Sequence, residues 1–185
     1  MKLLIGITGG IAIVKIPLLI SALRKEGHEI KCLMTENAAK FISPHLVFLP
    51  LSNNPVYLDM WAPPQSFMVE HIELAKWPDV VLVAPATANT IGKLVNSIAD
   101  NLLTTVLLAV PSTKPIFFAP AMNTEMWNNP FFQEAYNKLQ KLPNCHIIPP
   151  IEKRLACGDI GIGAMAEIDT ILEMLKKYWQ SKKNA

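Results

Sequence analysis

Three times in this sequence a short apolar run passes directly into a cluster of small and polar residues that opens a helical stretch. Lys2 to Thr8 runs into Gly9-Gly10, and Asp79 to Ala84 into Pro85-Ala86-Thr87-Ala88-Asn89-Thr90. Ile116-Phe117-Phe118-Ala119 runs into Pro120-Ala121-Met122-Asn123-Thr124-Glu125-Met126-Trp127. Runs of this length with little polar alternation read as strands covered on both faces. A helix that returns the chain after each one makes neighbouring strands parallel, with helices on both sides of the sheet. The sequence therefore predicts an α/β fold: a doubly wound, mostly parallel sheet flanked by helices. Ligands gather at the carboxyl edge of such strands, and all three polar turns belong to that edge.

The rest of the chain fills in the same pattern. A helix is expected from Ile11 to Lys25, stopped by Gly27, then a strand from Glu29 to Met34 and a short helix from Glu36 to Ile42 that Thr35 can cap. Pro17 falls early in the first helix, where a missing N–H costs least and a kink is the main consequence. From Ser43 to Glu70 the periodicity dissolves among Pro44, Pro50, Pro55, Pro63 and Pro64, with Phe48, Tyr57, Trp61 and Phe67 interspersed. A connection this long is a functional flap or a subunit contact, and its aromatics favour the contact. His71 to Trp77 reads as a short amphipathic helix, followed by helices at Thr90 to Ser97, Asp100 to Leu108 and Phe131 to Lys141 and a last strand at Cys145 to Ile148. Leu155 to Glu167 is too rich in glycine for a helix and predicts a flexible flap. Ile168 to Trp179 closes the fold as an amphipathic helix. The whole reads as a single domain over 1–180 with a frayed tail over 181–185.

Composition narrows the function. Charged residues make up 17% of the chain against 51% hydrophobic, too few to cover a monomer, so subunit contacts are expected. The 17 Lys and Arg balance 15 Asp and Glu and are scattered, which leaves no footprint for nucleic acid. Gly6, Gly9 and Gly10 break the N-terminal apolar run before it can serve as an export signal, and no stretch has the length of a membrane helix. Cys32, Cys145 and Cys157 are odd in number and far apart, without a C-x-x-C pair, so neither a metal site nor a disulfide is expected and a reducing cytoplasm is the natural setting.

Gly9 and Gly10, ahead of a helix, aim backbone N–H groups at whatever lies above the sheet, a place suited to an anion. The turn from Gly6 to Gly10 does not meet the G-x-G-x-x-G fingerprint, so a mononucleotide fits better than a nicotinamide dinucleotide. Asn123 stands where the chain leaves a strand and starts a helix, and is a good N-cap. Taken singly, His71 is a histidine at a helix start, Met122 and Met126 plug a core, and Cys157 is a small apolar residue.

Together these features have a known counterpart. The 85–90 turn, the 120–127 turn and the segment Ala156-Cys157-Gly158-Asp159-Ile160-Gly161-Ile162-Gly163 follow one another across nearly the whole chain, and with them the sequence resembles the flavin-dependent cysteine decarboxylases. The Ala-Cys-Gly segment is similar to that of the branch serving coenzyme A biosynthesis. The resemblance implies a Rossmann- or flavodoxin-like flavoprotein fold and FMN as cofactor. The activity it implies is decarboxylation of 4′-phospho-N-pantothenoylcysteine, a phosphorylated cysteine amide, to 4′-phosphopantetheine. The implied course is oxidation of the thiol to a thioaldehyde, loss of carbon dioxide with the thiocarbonyl as electron sink, and reduction of the ene-thiolate.

Residue by residue, the resemblance implies that Gly9, Gly10, Thr35, Ala84, Pro85, Thr87, Ala88, Asn89, Ala121 and Met122 hold FMN. His71 is then the active-site base, Asn123 binds the substrate carboxylate, Met126 packs near the reacting carbon, and Cys157 delivers a proton from the flap. No metal is implied. It further implies a cytoplasmic homo-oligomer, a trimer or trimers in a larger shell, with active sites between subunits, that takes a small-molecule substrate and neither nucleic acid nor membrane. A single activity is expected where bifunctional relatives add a synthetase domain. Relatives often carry Gly-Ser where this chain has Gly9-Gly10, and arginine where Ala164 stands. Two other functions stay open: a peptide C-terminal cysteine decarboxylase, which stops at the ene-thiol, and a regulatory relative that binds a partner protein. A flavin prenyltransferase lacks the 120–127 pattern.

Overall fold

The computed structural model describes residues 1–61 and 69–183. Its central sheet has six strands, β1 (Lys2–Ile7), β2 (Glu29–Met34), β3 (Val56–Tyr57), β4 (Val80–Ala86), β5 (Ile116–Pro120) and β6 (Cys145–Ile147), in the order β3-β2-β1-β4-β5-β6. Every pairing is parallel, from Leu3 opposite Ile30 and Val80 on the two sides of β1 out to Ile116 opposite Cys145. The order reverses between β1 and β4, and a crevice opens at that switch point above the carboxyl ends.

Helices cover both faces. Along β1 the side chains alternate: Leu3, Ile5 and Ile7 join a core with α1 (Ile16–Lys25) and α9 (Ile168–Lys183), while Leu4 joins a second core with α4 (Glu70–Lys76), α5 (Ala88–Val95), α6 (Leu102–Ala109) and α8 (Pro130–Gln140). β1 and β4 are buried almost throughout, which is why their sequences lack polar alternation. Short helices α2 (Glu36–Ala39) and α3 (Leu49–Ser52) follow β2, and α7 (Thr124–Asn128) follows β5. Among the described residues no helix is long and apolar enough to cross a membrane.

The structure departs from the sequence reading in five places. The first helix is split: Ile11–Lys15 is a 3-10 turn, and α1 begins at Ile16 with Pro17 in its first turn, where no N–H is needed. The helix after Thr35 stops at Ala39, short of Ile42. The proline-rich stretch from Ser43 is partly regular, holding a π-helical turn at Pro44–Phe48, α3 and the edge strand β3; Pro63, Pro64 and Phe67 lie outside the described residues. The segment expected to be a flexible flap is an antiparallel hairpin, β7 (Ile151–Arg154) with β8 (Ile160–Ala164). The last helix also runs on to Lys183.

Candidate active site

The crevice at the switch point is a cavity of about 950 Å³, a size that suits a cofactor together with a small substrate. Its floor is the carboxyl edge of β1 and β4. Buried Thr8 donates its hydroxyl to the Pro85 carbonyl at 2.6 Å and accepts from the Thr87 N–H at 3.2 Å, which locks the two turns to each other across the sheet. Thr87 in turn caps α5 through the Thr90 N–H, and Thr35 caps α2 through the Ala38 N–H. Gly10 is the N-cap of the 3-10 turn, where the first N–H groups have no intrahelical partner. A Cβ on Gly10 would meet only Thr87 Cγ2, at 3.6 Å, so the missing side chain leaves room beside those donors.

Of the residues implicated from the sequence, Gly9, Gly10, Thr35, Thr87, Ala88, Asn89, Ala121, Met122, Asn123, Met126 and Cys157 all line this cavity. Ala84 and Pro85 are buried in β4 immediately beneath it. His71 does not line it: half-buried in the first turn of α4, it belongs to the helix packed on α6.

Another part of the cavity wall is built by α7 and the hairpin. Asn123 Oδ1 accepts from the Glu125 N–H at 2.8 Å, which makes it the cap of α7, and this fixes its amide so that Nδ2 donates to Cys157 Sγ at 3.3 Å. Cys157 Sγ donates to Asp159 Oδ2 at 3.2 Å. The tight turn between β7 and β8, closed by Leu155 N–H to Asp159 O and Gly158 N–H to Leu155 O, brings the side chains of 157 and 159 together. The other two thiols differ in kind. Burial pushes Cys32 up to about 12 and Cys145 up to about 11, and neither lines the cavity. Asp159 was not singled out from the sequence, and only its position two residues from the cysteine across a glycine hinted at it.

The hairpin is held on α7 by backbone. The Met122 N–H donates to the Gly163 carbonyl at 2.9 Å, and Gly163 has a φ of 153°. A Cβ there would overlap the Met122 carbonyl oxygen. Gly163→Ala should therefore destabilise the protein by about 2 kcal/mol, a fall of ~6 °C in thermal midpoint. Gly158→Ala, also at positive φ (97°) but with nothing within 4 Å, should lower the midpoint by less than half as much in the same thermal scan. Equal shifts would mean that the contact with Met122 does not matter.

Salt links complete the rim. Glu167 bridges Lys15 at 2.9 Å and Lys153 at 3.0 Å, tying the 3-10 turn to β7, and these two hydrogen bonds hold its carboxyl below the usual range. Lys93 pairs with Asp100 at 2.7 Å.

The donors and the cavity fit a flat ring carrying a phosphate: its lining combines Gly9, Gly10, Thr35 and Thr87, which supply N–H groups and hydroxyls, with small or apolar Ile11, Ala88, Ala121 and Met122. Comparison with known proteins agrees. The flavoprotein family model matches residues 1–180. The chain is 43% identical over 172 residues to phosphopantothenoylcysteine decarboxylase of Mus musculus, covering 92% of this chain and 83% of the relative. It is 41% identical over 184 residues to the coenzyme A biosynthesis bifunctional protein CoaBC of Bacillus subtilis, all of this chain but 44% of that protein, so it spans less than half of the longer relative. A solved PPC decarboxylase, a cysteine-to-serine mutant complexed with pantothenoylaminoethenethiol, superposes with a TM-score of 0.84 at 38% identity, covering 97% of this chain and 98% of that one. The FMN binding protein AtHal3 superposes with a TM-score of 0.82 at 39% identity over 97% of each chain. The chain therefore belongs to the flavoprotein family, in its group of phosphopantothenoylcysteine decarboxylases.

Proposed function

We propose that this protein, as a single domain over 1–180, is an FMN-dependent carboxy-lyase that converts 4′-phospho-N-pantothenoylcysteine to 4′-phosphopantetheine in the cytoplasm. The observation that carries the reading is that Asn123 and Cys157, in contact with each other and through the thiol with Asp159, line the same cavity as Gly9, Gly10, Thr35 and Thr87, whose N–H groups and hydroxyls suit a flavin phosphate. Gly9, Gly10, Thr35, the 84–89 turn, Ala121 and Met122 would hold FMN. FMN, when bound, supplies the reversible two-electron oxidation of the substrate's cysteine side chain that makes loss of carbon dioxide feasible.

The chain's own residues do the rest. The Asn123 amide has two N–H donors; one reaches Cys157, and the other holds the substrate carboxylate. Met126, half exposed at the mouth, keeps water from the reacting carbon. Once carbon dioxide has left, Cys157 passes its Sγ proton to the ene-thiolate carbon, and Asp159, which accepts that same proton in the resting state, orients the thiol. His71 takes the proton released when the substrate is oxidised.

For His71 to do so, the cavity must be closed by a second copy. Ile11, Val14 and Leu18 form an apolar stripe, 61%, 62% and 66% exposed, and the first two belong to the cavity wall. A stripe of this kind beside an open site suits a subunit contact. The proposed assembly is a homotrimer, or trimers in a larger shell, in which His71 of one copy serves the cavity of the next. Sedimentation at micromolar concentration should give a trimer or a multiple of it, and a monomer would remove this part of the reading. The activity itself is tested by carbon dioxide release: 4′-phospho-N-pantothenoylcysteine should react, and a peptide ending in cysteine should not. Release from the peptide alone would favour the peptide decarboxylase reading.

A further inference from the structure

Four cations line the cavity: Lys15, Lys93, Lys153 and Arg154. Lys15 and Lys153 share Glu167, and Lys93 is paired with Asp100. Arg154 is different. It is exposed, stands at the end of β7 opposite Ile160, and among the described residues makes no ion pair or side-chain hydrogen bond. It is also only three residues from Cys157, so the two Cα atoms are at most about 11 Å apart. A ligand whose reacting end meets Cys157 and Asn123 therefore has an uncommitted guanidinium within reach of its far end. From this we infer that Arg154 is the subsite for the phosphate of the substrate, and so the residue by which the enzyme prefers a phosphorylated cysteine amide to an unphosphorylated one.

The chemistry fits. A phosphate monoester carries close to two negative charges at neutral pH and offers three acceptor oxygens, and guanidinium binds such a group with two parallel N–H donors. A cation already neutralised by a carboxylate would have to give up that pair first; among the described residues Arg154 has none to give up. The inference rests on the proposed reaction. It concerns the substrate's phosphate and not the flavin's, for which the glycine turn after β1 offers its own backbone N–H donors.

Binding of the product and its dephosphorylated counterpart to the flavin-loaded enzyme separates these cases. In calorimetric titration the wild type should bind 4′-phosphopantetheine about tenfold more tightly than pantetheine, the lower end of what a charged hydrogen bond gives, because the site is exposed. Arg154→Gln should reduce that ratio to about twofold or less, and Arg154→Lys should keep part of it, while flavin content per chain stays at the wild-type value. The wild-type preference should also shrink as salt is raised. A preference that survives in Arg154→Gln would overturn the inference. Loss of flavin from Arg154→Gln would overturn it as well, by assigning the arginine to the cofactor's phosphate. A flavin-loaded wild type that binds neither compound would instead sink the proposed substrate, and this inference with it.

Discussion

Cys157→Ser should retain flavin and release carbon dioxide from the substrate, yet accumulate a product two hydrogens lighter than 4′-phosphopantetheine. The reason lies in the last proton transfer. The thiol accepts from Asn123 Nδ2 and donates to Asp159 Oδ2, so its proton is fixed in direction before substrate arrives. A serine hydroxyl preserves the shape but is a weaker acid than a thiol by several pK units, and a positioned acid contributes roughly 10²–10⁴ to the step it serves. Formation of the reduced product should slow at least about a hundredfold while earlier steps are less affected. The flavin band, followed by stopped-flow absorbance, should bleach on mixing and not return. Cys145→Ser, on β6 and away from the cavity, should behave as the wild type. If the Cys157 variant produced normal 4′-phosphopantetheine at a normal rate, the thiol would have no part in the reaction.

His71→Asn should abolish turnover, by a factor of about 10²–10⁴, with flavin content unchanged. Imidazole takes and releases protons between pH 5 and 8, and an amide of similar size does not. Its position makes the sharper prediction. Because α4 carries His71 outside the cavity of its own chain, an inactive His71→Asn chain and an inactive Asn123→Asp chain should rescue each other when co-expressed and purified as mixed oligomers. Random mixing leaves about a quarter of the sites with both native residues if each site draws on two copies of the chain. No recovery would mean that both side chains serve the same subunit's site, or that His71 is only a residue of the helix start.

The sheet and the site's floor were legible because their residues obey simple rules. Doubly covered strands give unbroken apolar runs, and the turns above them need caps, which Thr35, Thr87 and Asn123 supply. β3 was hidden because it is two residues long between Pro55 and Leu58; pairing to Cys32 and Leu33, and the Asn54 side chain bonded to the Ile30 carbonyl at 2.9 Å, hold it in place, and none of this shows in local pattern. The hairpin was hidden because its periodicity is inverted. Ile160 and Ile162 are exposed, while Gly161 and Gly163 are buried, pressed so closely on Thr124 and Met122 that no side chain fits. An apolar-in rule reads such a strand backwards. Asp159 and Arg154 escaped notice for a related reason, since only the hairpin's fold brings the first against Cys157 and the second to the cavity wall.

The mass of the product is the decisive measurement. Purified, flavin-loaded protein incubated with 4′-phospho-N-pantothenoylcysteine should yield a compound lighter by one carbon dioxide with no net change in hydrogen, which is 4′-phosphopantetheine. Unchanged substrate, or a wild-type product lighter by a further two hydrogens, would contradict it.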